Sequence, residues 1–434
     1  MTINSFVRCD LCGTKIRFRW QVGYDPNVVV YVKCPKCSSP IEAEFNGVST
    51  STKMNNIYGA TEIFESQADY CQEISGEFFC LKMTKNSDVP IQTQFLRNSF
   101  LFENDNKRKH CGRLLDYAKN IKLYKNEILQ IASLIKNEEY DLLKRKINNN
   151  ENNLVQLFRK FNICDNLQND YDYFKYYYEY IKFLLDNIIL FDAKIDHKNI
   201  DEKLDVLVNK KKKQLKEFSI KIVKNGIVDS INSKFITITQ EYLDLFKGLL
   251  PIYLVEFDFS KIDLEISGIT TIEYSKLESF YKKCYEFITD NSFVIIALNN
   301  LYERNDINQF FNKSDDVMNI MKMCKSKYNV FINNIKKDEF LSSFFVNSLD
   351  NIVRNSEAHF LTEYNIFTQK ITFKNKNGKG EIKNIKKYLA EFAKDNIQIF
   401  MKCYYLWNIS MRLIEINYLK NEGFFPHFKM KRNF

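Results

Sequence analysis

Apolar positions along the chain change their period. Between residues 6 and 45 they alternate, in IRFRW and VVVYV on either side of the turn-like stretch GYDPN, which predicts short strands joined as a hairpin. From about 47 to 100 the pattern is mixed, rich in Ser and Thr, with FFCLKM as a candidate strand and no helical period. From about residue 102 the spacing becomes three and four. Phe174, Tyr177, Tyr178, Ile181, Leu184 and Ile188 make one stripe, and Phe400, Tyr404, Trp407, Met411 and Ile414 make another, each predicting a helix with a core-facing side. KITFKNKNGKGEIKNI reads as a hairpin turning at Asn377-Gly378, followed by a long final helix. The fold class this predicts is mainly α, a helical bundle with a small N-terminal β module. No repeat of 20 to 50 residues is present, which argues against a solenoid.

Composition agrees with helices. Only 12 Gly and 6 Pro occur in 434 residues, too few for a turn-rich all-β fold, and a hydrophobic fraction of 45% excludes a disordered chain. The length suggests about two to four domains. The expected divisions are a small β module at 1–46, a mixed β or irregular connector at 47–100, a helical middle region at 101–219 and a helical domain at 220–434. The surplus of 63 Lys and Arg over 54 Asp and Glu, a net charge of +9, favours polyanionic partners without naming one. The lysine run 210–213 reads as a solvated helix face. The start lacks a secretion signal, and the longest apolar run, IKFLLDNIILF, is broken by Lys182 and Asp186, so no membrane association is expected. Eleven cysteines, seven of them scattered, suit a reducing compartment, and the expected location is cytoplasmic.

Cys9-Asp-Leu-Cys12 and Cys34-Pro-Lys-Cys37 form two CxxC pairs. Each pair can place two thiolates on one tight turn, relieved in the first by Gly13, and a hairpin between the turns would bring four sulfurs around a tetrahedral zinc ion. Four thiolates close the coordination shell, so this zinc would be structural. The segment resembles zinc ribbons over about 40 residues. Arg17, Arg19, Trp20, Lys33 and Lys36 are candidate nucleic-acid contacts, with the bases of a strand stacking on the aromatics. The competing reading is that Phe18, Trp20, Tyr24 and Tyr31 fill the ribbon's core and the module docks on a protein.

Of the four histidines, His110, His197 and His427 lack a local partner. His110, beside Cys111, suggests a second metal site with Cys71 and Cys80 only weakly, because the spacing is irregular. His359 differs. LDNIVRNSEAHF places Arg354 five residues before it, with Asn355 next, after the apolar pattern Leu341, Phe345, Leu349 and Ile352. This Arg-x4-His arrangement resembles the catalytic signature of HEPN-superfamily ribonucleases. The resemblance covers about 220–434 and implies an endoribonuclease with no catalytic metal, acting on RNA at a site shared by two chains of a homodimer or higher oligomer. In it Arg354 would grip the phosphate, His359 would move protons and Asn355 would orient the histidine or hold the helix end, with Ser356 and Glu357 secondary. It further implies a setting in anti-phage defence by abortive infection, and a regulatory protein partner. The alternative is a non-catalytic nucleic-acid- or protein-binding module.

Helix geometry complicates the motif, because residues five apart lie about 140° around a regular helix. Either the helix ends before His359, or its apolar face is a two-fold interface. A structural histidine and a surface arginine would give the same sequence. No Gly-rich phosphate loop, HExxH or GxSxG is present, which leaves nucleotide hydrolases, zinc proteases and serine hydrolases without support.

Overall fold

The structure is a computed structural model that describes residues 1–24, 27–48, 51–64, 67–148, 170–189, 197–311, 314, 316–317, 336, 339, 351–358, 361–376 and 382–418. Of these residues 56% are helical and 21% are in strands, in four separate sheets. The expectation of a mainly α bundle with one small ribbon is corrected accordingly. The chain divides into two compact units, each built from three segments. Neither unit is a consecutive stretch such as 1–46 or 220–434.

The first unit, Met1–Ile121, Glu241–Tyr285 and Ser348–Phe400, carries all four sheets. Strands β1 (Thr2–Cys9), β2 (Lys15–Gln21), β6 (Ala60–Ile63), β7 (Tyr70–Ile74) and β9 (Thr84–Lys85) make a five-stranded sheet in the order β6-β1-β2-β7-β9, antiparallel except for β2 beside β7. Strands β3 (Asn27–Lys33), β4 (Pro40–Val48) and β5 (Ser51–Tyr58) form an antiparallel meander. The expected hairpin between IRFRW and VVVYV does not form, because those runs are β2 and β3 and belong to different sheets. Their inward alternation drives the two sheets together: Phe18 and Trp20 of β2 meet Phe45 of β4 at ring-centroid distances of 5.7 and 5.3 Å, with Val7, Ile16, Val30 and Ile41 in the same core. The stretch 47–100 contributes β5, β6, β7 and β9 to these sheets.

Two smaller sheets complete the unit. Strand β8 (Cys80–Leu81) pairs with β10 (Ser267–Gly268), and β11 (Thr362–Asn365), β12 (Lys370–Lys376) and β13 (Ile382–Tyr388) form a second meander. The β12–β13 hairpin matches the sequence reading; its turn, with Asn377-Gly378, lies outside the described residues. So many turns are possible with few glycines because polar residues take left-handed backbone angles: Ser38, Asn56 and Gln369 have φ of 60°, 49° and 51°.

The second unit, Lys122–Gln240, Glu286–Asn347 and Met401–Phe434, is helical in its described residues apart from a single bridge between Gln309 and Ser314. Helix Asp170–Ile189 carries the first predicted stripe: Tyr177, Tyr178, Ile181, Leu184 and Ile188 are buried. It also buries Tyr176 and Tyr180, so more than one face is covered. In helix Leu389–Tyr418, Trp407 stacks on Phe235 at 4.8 Å. The Asn232 side-chain carbonyl accepts from Trp407 Nε1 at 2.8 Å and from the Tyr177 hydroxyl at 2.7 Å, which satisfies both buried donors. Lys210, Lys212 and Lys213 are exposed where helix His197–Lys210 gives way to Lys212–Lys224.

Candidate functional site

The two CxxC segments are the turns of separate hairpins. Cys9–Thr14 closes β1 onto β2, with Arg8 opposite Lys15, and Cys34–Ser39 closes β3 onto β4, with Lys33 opposite Pro40. The turns repeat one hydrogen-bond scheme. The first cysteine's N–H donates five residues ahead, Cys9 to Thr14 O at 2.9 Å and Cys34 to Ser39 O at 2.8 Å. Its carbonyl accepts from the residue four ahead, Gly13 N and Ser38 N, both at 2.9 Å. That residue is left-handed in each turn, φ 72° at Gly13 and 60° at Ser38. The next residue's N–H, Thr14 or Ser39, points at the second cysteine's sulfur.

Packing of the two sheets brings the turns together, so that the Sγ atoms of Cys9, Cys12, Cys34 and Cys37 all lie within 4.8 Å of one another. Cys9 to Cys37 is 3.6 Å and Cys12 to Cys34 is 3.4 Å. Both are far beyond a disulfide bond. They are close to the edge of a tetrahedron with metal–sulfur bonds of about 2.3 Å, which is about 3.8 Å. These four residues can hold a metal ion. Hydrogen bonds from the Thr14 hydroxyl, 3.1 Å away, and the Thr14 N–H lower the Cys12 pKa to about 6. At Cys37 the Ser39 N–H favours the thiolate, but burial and the neighbouring sulfurs outweigh it and push the pKa up to about 12. Crowded thiols resist ionising together unless a cation joins them. Thr14 and Ser39 escaped the sequence reading, although the repeated small-then-hydroxyl pair after each CxxC was visible there.

The expected nucleic-acid face is only partly available. Trp20 is 1% exposed in the sheet-to-sheet core, and Phe18 is buried with it, so neither can stack on a base. Arg19 is 7% exposed; it pairs with Glu73 at 3.1 Å and donates to the carbonyls of Pro90 and Ile91 at 2.8 and 2.9 Å. Both residues are corrected to structural roles. Arg17 is half-buried in register with Cys71, while Lys33 and Lys36 are exposed. Glu73 also binds Arg97 and accepts from the Leu81 N–H at 2.9 Å, so one buried carboxylate serves two guanidiniums.

Arg354 and Asn355 sit on helix Asn351–Ala358, which packs against β12. Val353 and Ser356 face inward; the Ser356 hydroxyl lies 2.7 Å from the carbonyls of Ile352 and Lys374, a structural role. Arg354 and Asn355 are half-buried, and Arg354 Nη1 donates to Asn355 Oδ1 at 3.3 Å. Helix Asn351–Ala358 is followed by a Leu361 N–H that donates back to Ser356 O at 2.8 Å before β11 begins. His359 lies outside the described residues, as does the Glu357 side chain.

His110 is buried, with Nε2 3.3 Å from Tyr253 O, and burial lowers its pKa. Cys9, Cys12, Cys34 and Cys37 are the one metal-ready group among the described residues. No described helix is long and apolar enough to cross a membrane. Comparison with known proteins gives no matching family model, no matching curated protein and no matching solved structure.

Proposed function

We propose that the chain is a metal-independent endoribonuclease of the HEPN type, acting through Arg354 and His359 in a cytoplasmic homodimer, with a structural zinc ion on its four cysteines. The observation that carries the enzyme reading is that the helix bearing Arg354 has ended by Leu361, whose N–H donates back to Ser356 O at 2.8 Å, with Arg354 partly open to solvent. A continuous helix would have set the two groups about 140° apart; a helix that ends removes that obstacle. RNA brings its own nucleophile. One histidine takes the 2′-hydroxyl proton as that oxygen attacks phosphorus, and the second subunit's copy gives a proton to the departing 5′-oxygen. The products are a 2′,3′-cyclic phosphate and a 5′-hydroxyl. The Arg354 guanidinium stabilises charge on the non-bridging oxygens. Zinc suits four thiolates at the observed separations, and its closed shell keeps it out of the reaction.

The test is cleavage of total RNA by the purified chain in excess chelator. Wild type should cut, and His359→Ala or Arg354→Ala should lose on the order of a hundredfold or more. Equal cleavage by the variants overturns the assignment. A second reading, a non-catalytic binding module, is favoured by the surroundings of the motif: helix Asn351–Ala358 packs against β12 of the β11–β13 sheet. Absence of cleavage by wild type with RNA still bound would select it.

A further inference from the structure

Within the first unit, next to the second cysteine turn, lies a cavity of about 210 Å³ that no step above uses. Its walls are aromatic: Tyr31 of β3, Tyr274 at the start of helix Tyr274–Arg304, Tyr364 of β11 and Phe367 beyond it. Tyr274 and Tyr364 stack with ring centroids 4.8 Å apart and planes inclined by 24°. Tyr364 is half-buried, burial raises its pKa, and its hydroxyl makes no hydrogen bond to another described residue. A half-buried hydroxyl on a residue that lines a cavity can exchange water for a ligand's polar edge.

The charges around the cavity are positive. Lys82 lines it with its ammonium held by three carbonyls, Leu264 at 2.6 Å, Glu265 at 3.1 Å and Thr368 at 2.6 Å, and forms no ion pair among the described residues. Lys33 is exposed at the lining and likewise has no carboxylate partner there. The lining carboxylate, Glu273, is 3.7 Å from the Lys276 ammonium, which in turn donates to the Tyr31 hydroxyl at 3.0 Å. The first turn of helix Tyr274–Arg304 adds its N–H end, with Ser275 exposed at the lining. The volume is below the roughly 300–1,000 Å³ of sites for whole drug-sized ligands, so one flat ring system fits and an anionic tail stays outside.

We propose that this cavity seats the base of one nucleotide, with the ring against Tyr274 and Tyr364, its polar edge on the Tyr364 hydroxyl and its phosphate on Lys33. The same chemistry is offered by a free mononucleotide and by one residue of a single strand. The site does not rest on Arg354 and His359, and it would stand if the chain cut no RNA.

The experiment is calorimetric titration of the full-length protein with AMP, UMP, inorganic phosphate and a hexaadenylate strand, in wild type, Lys33→Glu and Tyr364→Phe. Both substitutions should leave the thermal melt unchanged, since Lys33 is exposed and phenylalanine keeps the ring. Saturable binding of one nucleotide per chain is expected, weakened about tenfold by Lys33→Glu and about three- to tenfold by Tyr364→Phe. A strand binding at least about tenfold tighter than AMP identifies a strand residue as the source; AMP binding as well or better identifies the free nucleotide. Three results overturn the proposal: no saturable binding by AMP, UMP or the strand up to about 10 mM, affinities unchanged in both variants, or inorganic phosphate binding as tightly as AMP.

Discussion

Glu415, on helix Leu389–Tyr418, is a buried carboxyl that accepts from the Tyr171 hydroxyl at 3.1 Å. Burial pushes its pKa up to about 7, and the buried Glu179 adds to the rise. In the unfolded chain the group titrates near the ordinary carboxylate value, so between there and about pH 7 the folded state holds a proton that the unfolded state has released. Stability therefore falls as pH rises through that window and stays lowered above it. Glu415→Gln keeps the contact to Tyr171 without the charge. It should be the more stable protein at pH 8, by on the order of 2 kcal/mol, and match wild type near pH 4. Urea unfolding from pH 4 to 8 measures this, and parallel curves for the two proteins would refute it. Gly59 makes a second case. Its φ is +75°, a Cβ there would sit 2.1 Å from the Pro40 carbonyl oxygen, and its own carbonyl accepts from the Asp10 N–H beside the metal turn. Gly59→Ala combines backbone strain with a backbone clash and should cost about 2 kcal/mol or more in the same assay.

The two cysteine turns share one geometry but differ at the left-handed position, which is glycine in the first and serine in the second. Ser38→Gly should therefore stabilise the protein by about 0.5–1 kcal/mol, and Gly13→Ser should destabilise it by a similar amount. A loss in both would mean that the Ser38 side chain has a role of its own. The cysteine spacing made the metal group legible, because CxxC encodes its turn locally. Strand partnership was not legible: β2 and β3 are neighbours in sequence, yet each pairs elsewhere, since the buried faces carrying Phe18, Trp20 and Phe45 gain more by facing across two sheets than by lying side by side. Arg19 and Trp20 looked like surface contacts for the same reason. A sequence shows that basic and aromatic residues alternate, and not that Glu73, 54 residues on, waits to receive the guanidinium. Alternation predicted both β2 and its inward side; only the long-range partner turned the basic side into a buried ion pair.

For the whole chain, helical periodicity from residue 102 onward suggested a helical domain at 220–434, and the structure divides that span between both compact units. Residues 264–270 and 368–369 are tied to the N-terminal strands by the β8–β10 pairing, by the Tyr31 N–H on Thr270 O at 3.3 Å, and by the three carbonyls gathered on Lys82. Periodicity is a property of one segment and carries no information on which distant segment covers it. Separating 220–434 from the rest would strip those carbonyls of their ammonium, remove the β8 partner from β10 and uncover Ile269, Ile272 and neighbouring apolar groups. The excised segment should aggregate or melt without a cooperative transition, whereas the full chain should show cooperative unfolding by circular dichroism and calorimetry. Lys82→Met in the full chain probes the same link more gently. It leaves three backbone carbonyls without their charged donor and should cost about 1–2 kcal/mol, because these part-buried acceptors, two of them on the exposed residues Glu265 and Thr368, recover part of the loss from water. If 220–434 alone were monodisperse with a sharp melt and Lys82→Met were neutral, the N-terminal strands would be an appendage. The proposed ribonuclease activity would then be tested on the smaller piece, whereas an integral first unit requires that test to use the intact chain.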